Sequence, residues 1–381
     1  MTHQIDTIAL PHGRPGTSRQ LTIHQFGQPG ARPKAYIQAG LHADELPGML
    51  VARHLIDRLA ALDGQGKVAG HVVLIPMANP IGLDQIIMGG HMGRFDLAGG
   101  VNFNRAFADL SDPVSARLAA GTLGPLSADP EANRRLLQAA LSQAAGEIRT
   151  RTETEALRKL LLSHAVDADL VLDLHCDSEA LMHLYTTPCC WPLGVDDLAA
   201  RLDCGVALLA ETSGGNPFDE VCSTPWDSLR RGHGGPATPI PVGCISVTVE
   251  LRGQHDVDET MARRDADALI DHLGWRGILD VPAPAMAIAA DIATPLAAVD
   301  RVRAPAGGVV LYHAMLGEQV QAGQHVACVL DPMTGTRHAC HAASDGPVWA
   351  RSRNRYACPG DILLSIAGRE VLVTSGPLLT A

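Results

Sequence analysis

The stretch QAGLHADELPG, from Gln38 to Gly48, places a histidine and two acids between two segments of different periodicity. It overlaps the short apolar run AYIQAG, which is typical of a buried β-strand. From Pro47 to Ile56 the apolar spacing is that of a helix with proline in its first turn. The polar residues therefore lie in a strand-to-helix loop, which is where open α/β sheets bind ligands.

Similar apolar runs recur along the chain, in HVVLIPM, DLVLDLH, LMHLYTT and CISVTVEL. Amphipathic helical patterns accompany them over residues 131–164 and 258–273. This alternation predicts an α/β fold in which helices cover a sheet. Residues 211–239 are rich in glycine and proline without clear periodicity, so we expect a long loop there that is able to cover a site.

The character of the sequence changes past Trp275, where a proline- and alanine-rich segment precedes short β-like runs punctuated by glycine. We predict two domains, residues 1–284 and 285–381. The second carries a weak internal repeat, APAGGVVLYHAMLGEQVQAGQHVACVLDP against ASDGPVWARSRNRYACPGDILLSIAG, which resembles the two halves of a biotinyl/lipoyl-type barrel-sandwich domain. A carrier domain of that type needs a lysine, and the chain has none after Lys159. We therefore expect a structural or substrate-closing β-module.

Composition excludes several classes of protein. The 381 residues, 46% of them hydrophobic, are enough for a sizeable core and favour two domains over one. A formal net charge of -11 with scattered basic residues argues against nucleic-acid binding. The N-terminal residues lack a signal-peptide pattern and no apolar stretch has the length of a membrane span, so we expect a cytoplasmic protein without a membrane partner. Nine cysteines without C-x-x-C spacing favour reduced thiols, and a homo-oligomer is left open.

Two imidazoles and a carboxylate stand at the ends of predicted strands. His42 and Glu45 form an H-x-x-E pair, and DLHCD presents His175 at the carboxyl end of a later strand. Such a set leaves one coordination position open, as in catalytic zinc sites. H-x-x-E alone occurs by chance in many chains, so the prediction depends on the other motifs. Strand alternation puts Asp173 on the face of His175, where it would either orient the imidazole or pair locally.

Two further motifs carry polar groups suited to a substrate. GGHMGRFDLAGGVNFNRAF contains Arg94, Asn104 and Arg105, and the planar guanidinium suits a carboxylate or a developing oxyanion. CISVTVELRG places Glu250 at the end of an apolar strand. That acid is either a buried partner of Arg252 or a general base with a raised pKa. Cys176, next to His175, points to the opposite face and is assigned to packing.

The ordered set GLHADE, NP, GRFD with NFNRAF, DLHCD and VELRG resembles the succinylglutamate desuccinylase/aspartoacylase family, zinc hydrolases related to the zinc carboxypeptidases. The resemblance spans residues 35–255, and the β-rich tail is similar to the family's C-terminal domain. It implies a zinc-carboxypeptidase-like mixed sheet with covering helices, followed by a C-terminal β barrel-sandwich domain.

The resemblance also implies roles for individual residues. His42, Glu45 and His175 would hold one zinc ion per chain. Glu250 would match the catalytic glutamate that activates water and passes the proton to the leaving amine. Asn104 and Arg105 would grip the α-carboxylate of the substrate, and Arg94 would polarise the scissile carbonyl. The chain departs from the family at Asn102-Phe103, where the motif has aspartate-leucine, and in the longer spacing between Arg94 and Asn104.

The expected activity is that of a zinc-dependent hydrolase acting on linear amides, which deacylates a small N-acyl amino acid with metal-activated water. Two alternatives remain: a metallocarboxypeptidase or amidase acting on peptide-like substrates, and a catalytically inactive relative that binds a ligand. The acyl group and the amino-acid side chain are not specified by the sequence. Asp219 and Glu220 would either favour a cationic substrate side chain or form a solvated acidic turn.

Overall fold

The computed structural model describes residues 3–282, 284–285, 291–372 and 378–379. Within these residues the strands are β1 (Gln4–Ala9), β2 (Gln20–Gly27), β3 (Lys34–Ala39), β4 (His71–Ile75), β5 (Ile86–Ile87), β6 (Gly90–His91), β7 (Phe95–Asp96), β8 (Val101–Asn102), β9 (Leu170–Asp177), β10 (Glu179–Ala180), β11 (His183–Thr186), β12 (Val206–Leu209), β13 (Ile245–Gly253), β14 (Ala293–Pro295), β15 (Val299–Arg303), β16 (Gly308–Tyr312), β17 (Gln319–Val320), β18 (His325–Leu330), β19 (Arg337–His341), β20 (Gly346–Arg351), β21 (Tyr356–Ala357) and β22 (Ile362–Ala367).

The helices of the same residues are α1 (Leu46–Gly64), α2 (Pro80–Leu83), α3 (Ser111–Ala119), α4 (Pro130–Glu147), α5 (Glu153–Ala165), α6 (Val195–Arg201), α7 (Phe218–His233) and α8 (Glu259–Trp275). Short 3-10 turns lie at Trp191–Leu193 and Leu296–Ala298. The strand runs and the helical patterns over 131–164 and 258–273 are confirmed, the former as two helices, α4 and α5.

A nine-stranded mixed sheet in the order β1-β2-β4-β3-β9-β13-β11-β12-β14 forms the body of the fold. Its four central strands, β4, β3, β9 and β13, are parallel. From β3 the chain crosses through α1 to β4 on one side, whereas β9 lies on the other side. The strand order therefore switches direction between β3 and β9, and ligands of open α/β sheets bind at the carboxyl ends on either side of such a switch.

Helices cover both faces of this sheet. Alternation along the strands supplies the two cores: Leu172 and Leu174 of β9 pack with α1, α6 and α8, whereas Val171 packs on the other face with α3, α4, α5 and α7. Helix α1 begins with proline in its first turn, as predicted, directly after Glu45. The mixed α/β architecture with covering helices is thus confirmed.

The loop expected over residues 211–239 is wrong for its central part, which forms helix α7. The buried face of α7 carries Phe218, Val221, Cys222, Trp226 and Leu229 at helical spacing. Small and polar residues between them, together with an internal proline, Pro225, weaken the helical pattern in the sequence. Helix α7 packs on β9 and β13 and so supports the sheet beneath the site.

The C-terminal part of the chain is β-rich. Strands β20, β22 and β15, with β10 and β17, form one sheet, and β19, β18, β16 and β21 form another. Both sheets contribute to a shared apolar core that includes Val310, Val329, Val348 and Leu364. Strand β14 follows residue 285 and still belongs to the nine-stranded sheet. The division at 284/285 and the barrel-sandwich assignment remain predictions.

Two further observations bear on the class of protein. Among the helices of the described residues, none combines the length and the apolar character that crossing a bilayer requires. All nine cysteines are free thiols, in line with the expectation of reduced cysteines. Cys176 is buried, and burial raises the pKa of its thiol far above the ordinary value, with the charge of Glu45 adding to the shift.

Candidate functional site

The parallel strands bring two of the predicted site residues side by side. His175 on β9 is in register with Glu250 on β13, which in turn is in register with His183 on the antiparallel strand β11. His42 and Glu45 follow the carboxyl end of β3, which is the other neighbour of β9. Because the carboxyl ends of parallel strands meet at one edge of a sheet, the loop residues lie beside His175.

The loop between β3 and α1 is shaped by a close approach of two backbones. The backbone N–H of Ala43 donates to the carbonyl of Gly93 at 3.0 Å. A Cβ atom at Gly93 would lie 2.2 Å from the backbone nitrogen of Asp44, so only glycine fits. The backbone N–H of Glu45 donates to the carbonyl of His42 at 3.1 Å, so the H-x-x-E spacing spans a single turn that turns both side chains inward.

His42, Glu45 and His175 form one buried cluster whose nearest ligand atoms all lie within 4.8 Å of one another. Nδ1 of His42 is 2.9 Å from Oε1 of Glu45, and Nδ1 of His175 is 2.8 Å from Oε2 of the same carboxylate. The backbone N–H of Cys176 also donates to Oε2, at 3.1 Å. The structure thus brings together the three side chains that the sequence predicts as metal ligands.

The outer nitrogen of His42 is held by Asn102. Nε2 of His42 lies 2.8 Å from Oδ1 of Asn102, and that oxygen also accepts the backbone N–H of Asn104 at 2.9 Å. Because Oδ1 can only accept, Nε2 of His42 carries the hydrogen. The lone pair of Nδ1 in the neutral ring therefore faces the Glu45 carboxylate, an arrangement of two acceptors that a cation stabilises.

His175 is held from behind by a chain of buried polar groups. Its Nε2 lies 3.0 Å from Oδ2 of Asp173. Oδ1 of Asp173 accepts the side-chain amide of Gln38 at 2.9 Å, and the Tyr36 hydroxyl donates to Gln38 at 2.7 Å. The carboxylate expected to orient His175 thus has a fixed position, and the imidazole keeps Nδ1 turned towards Glu45.

The electrostatics of the cluster match a cation site. Burial opposes the charge on Glu45, yet the two imidazoles hold the pKa of its carboxyl well below the ordinary value. Burial also opposes charge on His175, but Asp173 and Glu45 hold the pKa of this imidazole well above its ordinary value. Burial lowers the pKa of His42. Two imidazole nitrogens and a carboxylate oxygen are a donor set that fits Zn²⁺ with one position left open.

Arg94, Asn104 and Arg105 all line the same cavity as the cluster. Nη1 of Arg94 lies 3.2 Å from Oε1 of Glu45 and 3.3 Å from Nδ1 of His42. The Asn104 amide nitrogen lies 3.5 Å from Nε2 of His175, and its carbonyl oxygen accepts the first N–H of α7, from Phe218, at 2.8 Å. Asn104 therefore joins the site to α7.

Glu250 lies in the cavity wall with one oxygen, Oε2, buried and without a hydrogen bond among the described residues. Burial and the charge of Glu45 raise the pKa of Glu250 well above its ordinary value. Arg252, the alternative partner considered from sequence, forms its ion pair with Asp265 instead. The backbone of Arg252 has a φ of 65°, at a bulge that ends the regular pairing of β13 directly after Glu250.

The cavity has a volume of about 350 Å³ and is closed on one side by the C-terminal part of the chain. That wall comprises Leu296, Arg301, Trp349, Ala350, Arg351, Ser352, Ile362, Leu363, Leu364, Ser365 and Leu379. Strand β10, which follows β9 in the chain, connects this wall to the main sheet by pairing with β20. Across this pair, Nε of Arg351 lies 2.5 Å from Oε2 of Glu179. Whether this part of the chain is a structural or a substrate-closing β-module remains a prediction.

Sequence reasoning did not find several residues of the site. Asn102 sits in the NFNR stretch, and its position two residues before Asn104 was its only signal. Tyr185 on β11 follows from strand alternation once β11 is placed beside β13, because its register partner is Thr248, two residues before Glu250. Arg301 gave no signal, since it lies in the distant C-terminal part.

Comparison with known families finds a match over part of the chain. Residues 31–124 match the model of the succinylglutamate desuccinylase/aspartoacylase catalytic domain, a family of hydrolases. This confirms the resemblance seen in the sequence, and the matched segment contains the H-x-x-E pair and the NFNR stretch. No match was found among curated proteins.

Solved structures share the fold over nearly the whole chain. A succinylglutamate desuccinylase/aspartoacylase family protein from Shewanella amazonensis is 24% identical with a TM-score of 0.81, covering 96% of this chain and 98% of its own. One from Shewanella frigidimarina is also 24% identical, with a TM-score of 0.80 and coverage of 96% and 97%. The product-bound ectoine utilization protein EutE (DoeB) from Ruegeria pomeroyi is 17% identical, with a TM-score of 0.65 and coverage of 96% and 95%.

Proposed function

We propose that this protein is a zinc-dependent amidohydrolase that deacylates a small N-acyl amino acid. One observation carries the proposal. The Nδ1 atoms of His42 and His175 converge on the two oxygens of Glu45, while Asn102 and Asp173 occupy their Nε2 atoms. This is the arrangement of a metal site whose ligands are oriented from behind. The family match at residues 31–124 supports the same class of reaction.

Amide hydrolysis requires a base for the attacking water and an acid for the leaving amine. When bound at His42, Glu45 and His175, Zn²⁺ supplies Lewis-acid chemistry that polarises a carbonyl and acidifies water. Glu250 is the proposed proton carrier, because its buried Oε2 has no hydrogen bond in the described chain. Its raised pKa allows the carboxyl to take a proton from water and to hold it until the amine leaves.

Three cationic or amide groups position the substrate in this proposal. Arg105 and Asn104 would bind the α-carboxylate, for which a guanidinium offers paired donors. Asp219 and Glu220 lie close enough to Arg105 to act on its charge. Arg94, half exposed beside Glu45, would stabilise negative charge developing on the carbonyl oxygen.

The size of the cavity favours a small substrate over a peptide. A volume of about 350 Å³ lies at the small end of the range for ligand pockets. The wall formed by the C-terminal part leaves less room for a chain that continues beyond the residue being cleaved. Rates on free N-acyl amino acids compared with short peptides would separate a deacylase from a metallocarboxypeptidase.

The test combines metal content with activity. Protein purified without a metal-affinity tag is expected to contain about one zinc per chain by elemental analysis. It should hydrolyse N-acyl amino acids, and chelation should abolish the activity until zinc is restored. Protein that neither contains nor takes up zinc would support the reading as an inactive ligand-binding relative.

A further inference from the structure

Three histidines meet on the surface of the C-terminal sheet that has the strand order β19-β18-β16-β21. His325 begins β18 and is in register with His341, which ends β19. His313 directly follows β16, and its backbone N–H donates to the carbonyl of Val326 at 2.9 Å. All three histidines are exposed. The ring centroid of His325 lies 4.5 Å from that of His313 and 5.4 Å from that of His341. We call this group the surface histidine cluster.

The ring nitrogens of the surface histidine cluster are not engaged by the protein. They make no ion pair or hydrogen bond with the residues that the structure describes. Histidines elsewhere in the fold have such partners: Nε2 of His71 lies 3.1 Å from Oε1 of Gln25, and Nε2 of His233 lies 2.7 Å from the Ser115 hydroxyl. A neutral imidazole has one nitrogen with a lone pair that can accept. Each ring of the cluster can therefore offer that lone pair to a ligand from solvent.

The backbone beneath the surface histidine cluster is held by the core of the C-terminal strands. Ala314, Val326 and Cys340 each adjoin one histidine of the cluster in sequence, and all three are buried in the same apolar core. Alternation along the strands thus places the imidazoles on the outer face. The packed sheet fixes the spacing of the three backbones, whereas exposed side chains change rotamer on the picosecond to nanosecond timescale. The rings can therefore turn towards a shared ligand without any movement of the sheet.

The chemistry of the donors selects the class of ligand. Imidazole nitrogen suits Zn²⁺, Ni²⁺ and Cu²⁺, whereas Mg²⁺ and Ca²⁺ prefer oxygen. The surface histidine cluster offers nitrogen alone, since no carboxylate of the described chain is paired with it. Its rings approach one another in neighbouring pairs. In the described residues, the convergence of three ligand atoms within 4.8 Å is seen only at His42, Glu45 and His175.

We propose that His313, His325 and His341 form a second metal site, which binds a divalent transition-metal ion through imidazole nitrogens with His325 as the central ligand. The site is separate from the proposed function, because none of the three residues is among those that line the cavity. It lacks the carboxylate ligand and the partners at the outer nitrogens that the buried cluster has. Such partners are typically worth roughly 10- to 100-fold in metal affinity, so the surface site should be weaker by at least that factor and should release its metal on dialysis.

The experiment measures metal binding after the buried site has been removed. Calorimetry with Zn²⁺ and with Ni²⁺ at neutral pH is carried out on full-length His175→Ala protein purified without a metal-affinity tag, and Mg²⁺ is titrated for comparison. His325→Gln, His313→Gln and His341→Gln are added singly to this background. Glutamine keeps a polar side chain and removes the imidazole. The matched control is His338→Gln, which removes another imidazole of β19, in register with Val329 and outside the cluster.

The His175→Ala protein is expected to bind about one Zn²⁺ or Ni²⁺ per chain and no Mg²⁺. His325→Gln should weaken this binding by at least about 10-fold, because losing a ligand costs no less than losing a partner of a ligand. His313→Gln and His341→Gln should each have a smaller effect, since one neighbouring pair of rings remains in both. His338→Gln should bind as tightly as its background. Circular dichroism in the absence of metal checks that every variant is folded.

Several results would overturn the second site. His175→Ala protein that binds neither Zn²⁺ nor Ni²⁺ would contradict it, as would equal affinity with and without His325. Equal losses in His338→Gln and His325→Gln would mean that metal binds to scattered surface histidines without a defined site. The outcome is independent of the proposed function, because with His175 intact the His325→Gln variant should keep the buried zinc and any hydrolytic activity. A wild-type protein without hydrolytic activity would refute the proposed function and leave the surface site standing.

Discussion

His42 and His175 lie edge to face, with ring centroids 4.9 Å apart and ring planes inclined by 76°. Because the rings are almost perpendicular, each Nδ1 approaches a different oxygen of Glu45. One ring is carried by the loop after β3 and the other by the end of β9, so two neighbouring strands fix the distance between them. The sheet therefore fixes the geometry of the cluster. The role of each member can be tested by substitution.

Removing either imidazole should empty the proposed zinc site. We expect His175→Ala and His42→Ala to lower the zinc content from about one per chain to a small fraction of that, since two remaining donors bind weakly. His255→Ala, at an exposed position, is the matched control and should retain the metal. Elemental analysis of tag-free protein gives the answer, and full zinc content in His175→Ala would rule out this ligand set.

Asn102 should tune the affinity of the site without being a ligand. Asn102→Ala removes the acceptor that holds Nε2 of His42, and losing such a partner typically costs roughly 10- to 100-fold in metal affinity. Asn102→Asp keeps the acceptor and removes a buried amide nitrogen that has no hydrogen bond in the described chain, so affinity should be retained. Competition with a zinc chelator measures both. Equal affinity in Asn102→Ala and wild type would contradict the role.

Glu250→Gln should separate chemistry from binding. The amide is close in size to the carboxyl but cannot take up the proton, so we expect kcat to fall by roughly 100- to 10,000-fold. KM and zinc content should change little, because Glu250 is outside the cluster of proposed ligands, whose imidazoles are held at Nε2 by Asn102 and Asp173. Steady-state kinetics on the best N-acyl amino acid, with metal analysis of the same preparation, tests the prediction. A variant with wild-type kcat would exclude Glu250 as proton carrier.

Asp219 should make the folded protein less stable as pH rises. Burial raises the pKa of Asp219 to about 7, so the folded state binds this proton more tightly than the unfolded chain does. The neighbouring groups are Glu220 on its own helix, Asp173 and His175 on β9, and Arg105 from the loop before α3. Below pH 4 the carboxyl is protonated in both states. Between pH 4 and 7 the unfolded chain loses the proton first, which lowers the free energy of unfolding.

Asp219→Asn removes this dependence. The variant should be more stable than wild type at pH 8, on the order of 2–4 kcal/mol, with the difference shrinking towards pH 4. Urea unfolding at pH 5 and pH 8, with a chelator present throughout, gives the two free energies. Asp112→Asn, in the exposed first turn of α3, is the control and should show no such difference. A constant difference between Asp219→Asn and wild type would refute the assignment.

Sequence reasoning predicted the members of the His42, Glu45 and His175 cluster because strand ends are predictable. The strand-to-helix transition at Gln38 to Gly48 and the position of His175 at a strand end suggested a shared site, and the family resemblance supplied the ligand set. The structure brings His42 and Glu45 beside His175. Helix α7 was missed because Pro225 and its small neighbours hide a regular apolar face. A local sequence pattern fails to predict a helix where an internal proline argues against one.

The substrate pocket was predictable only in part. Glu250 was found as the acid at the end of an apolar strand, but its neighbour Tyr185 needed the order of β13 and β11, which no local pattern gives. Arg301 lies in a different sheet, and its place in the cavity depends on how the C-terminal strands pack. Contacts between distant segments are set by tertiary packing, which leaves no periodic trace in either segment.

Gly93 should be required for the shape of the loop between β3 and α1, which carries two of the proposed metal ligands. In Gly93→Ala the new Cβ would meet the backbone of Asp44 and Ala43 at 2.2 to 2.9 Å, so the loop that carries His42 and Glu45 must move. We expect weaker zinc binding and a loss of about 1–3 kcal/mol in the free energy of unfolding, as for overpacked sites. Gly146→Ala, in α4 with no atom within 4 Å of the added methyl, is the matched control. It should stabilise the helix by about 0.8–1.0 kcal/mol and leave zinc affinity unchanged. If Gly93→Ala bound zinc as tightly as wild type, the contact between these two backbones would not determine the position of the ligands.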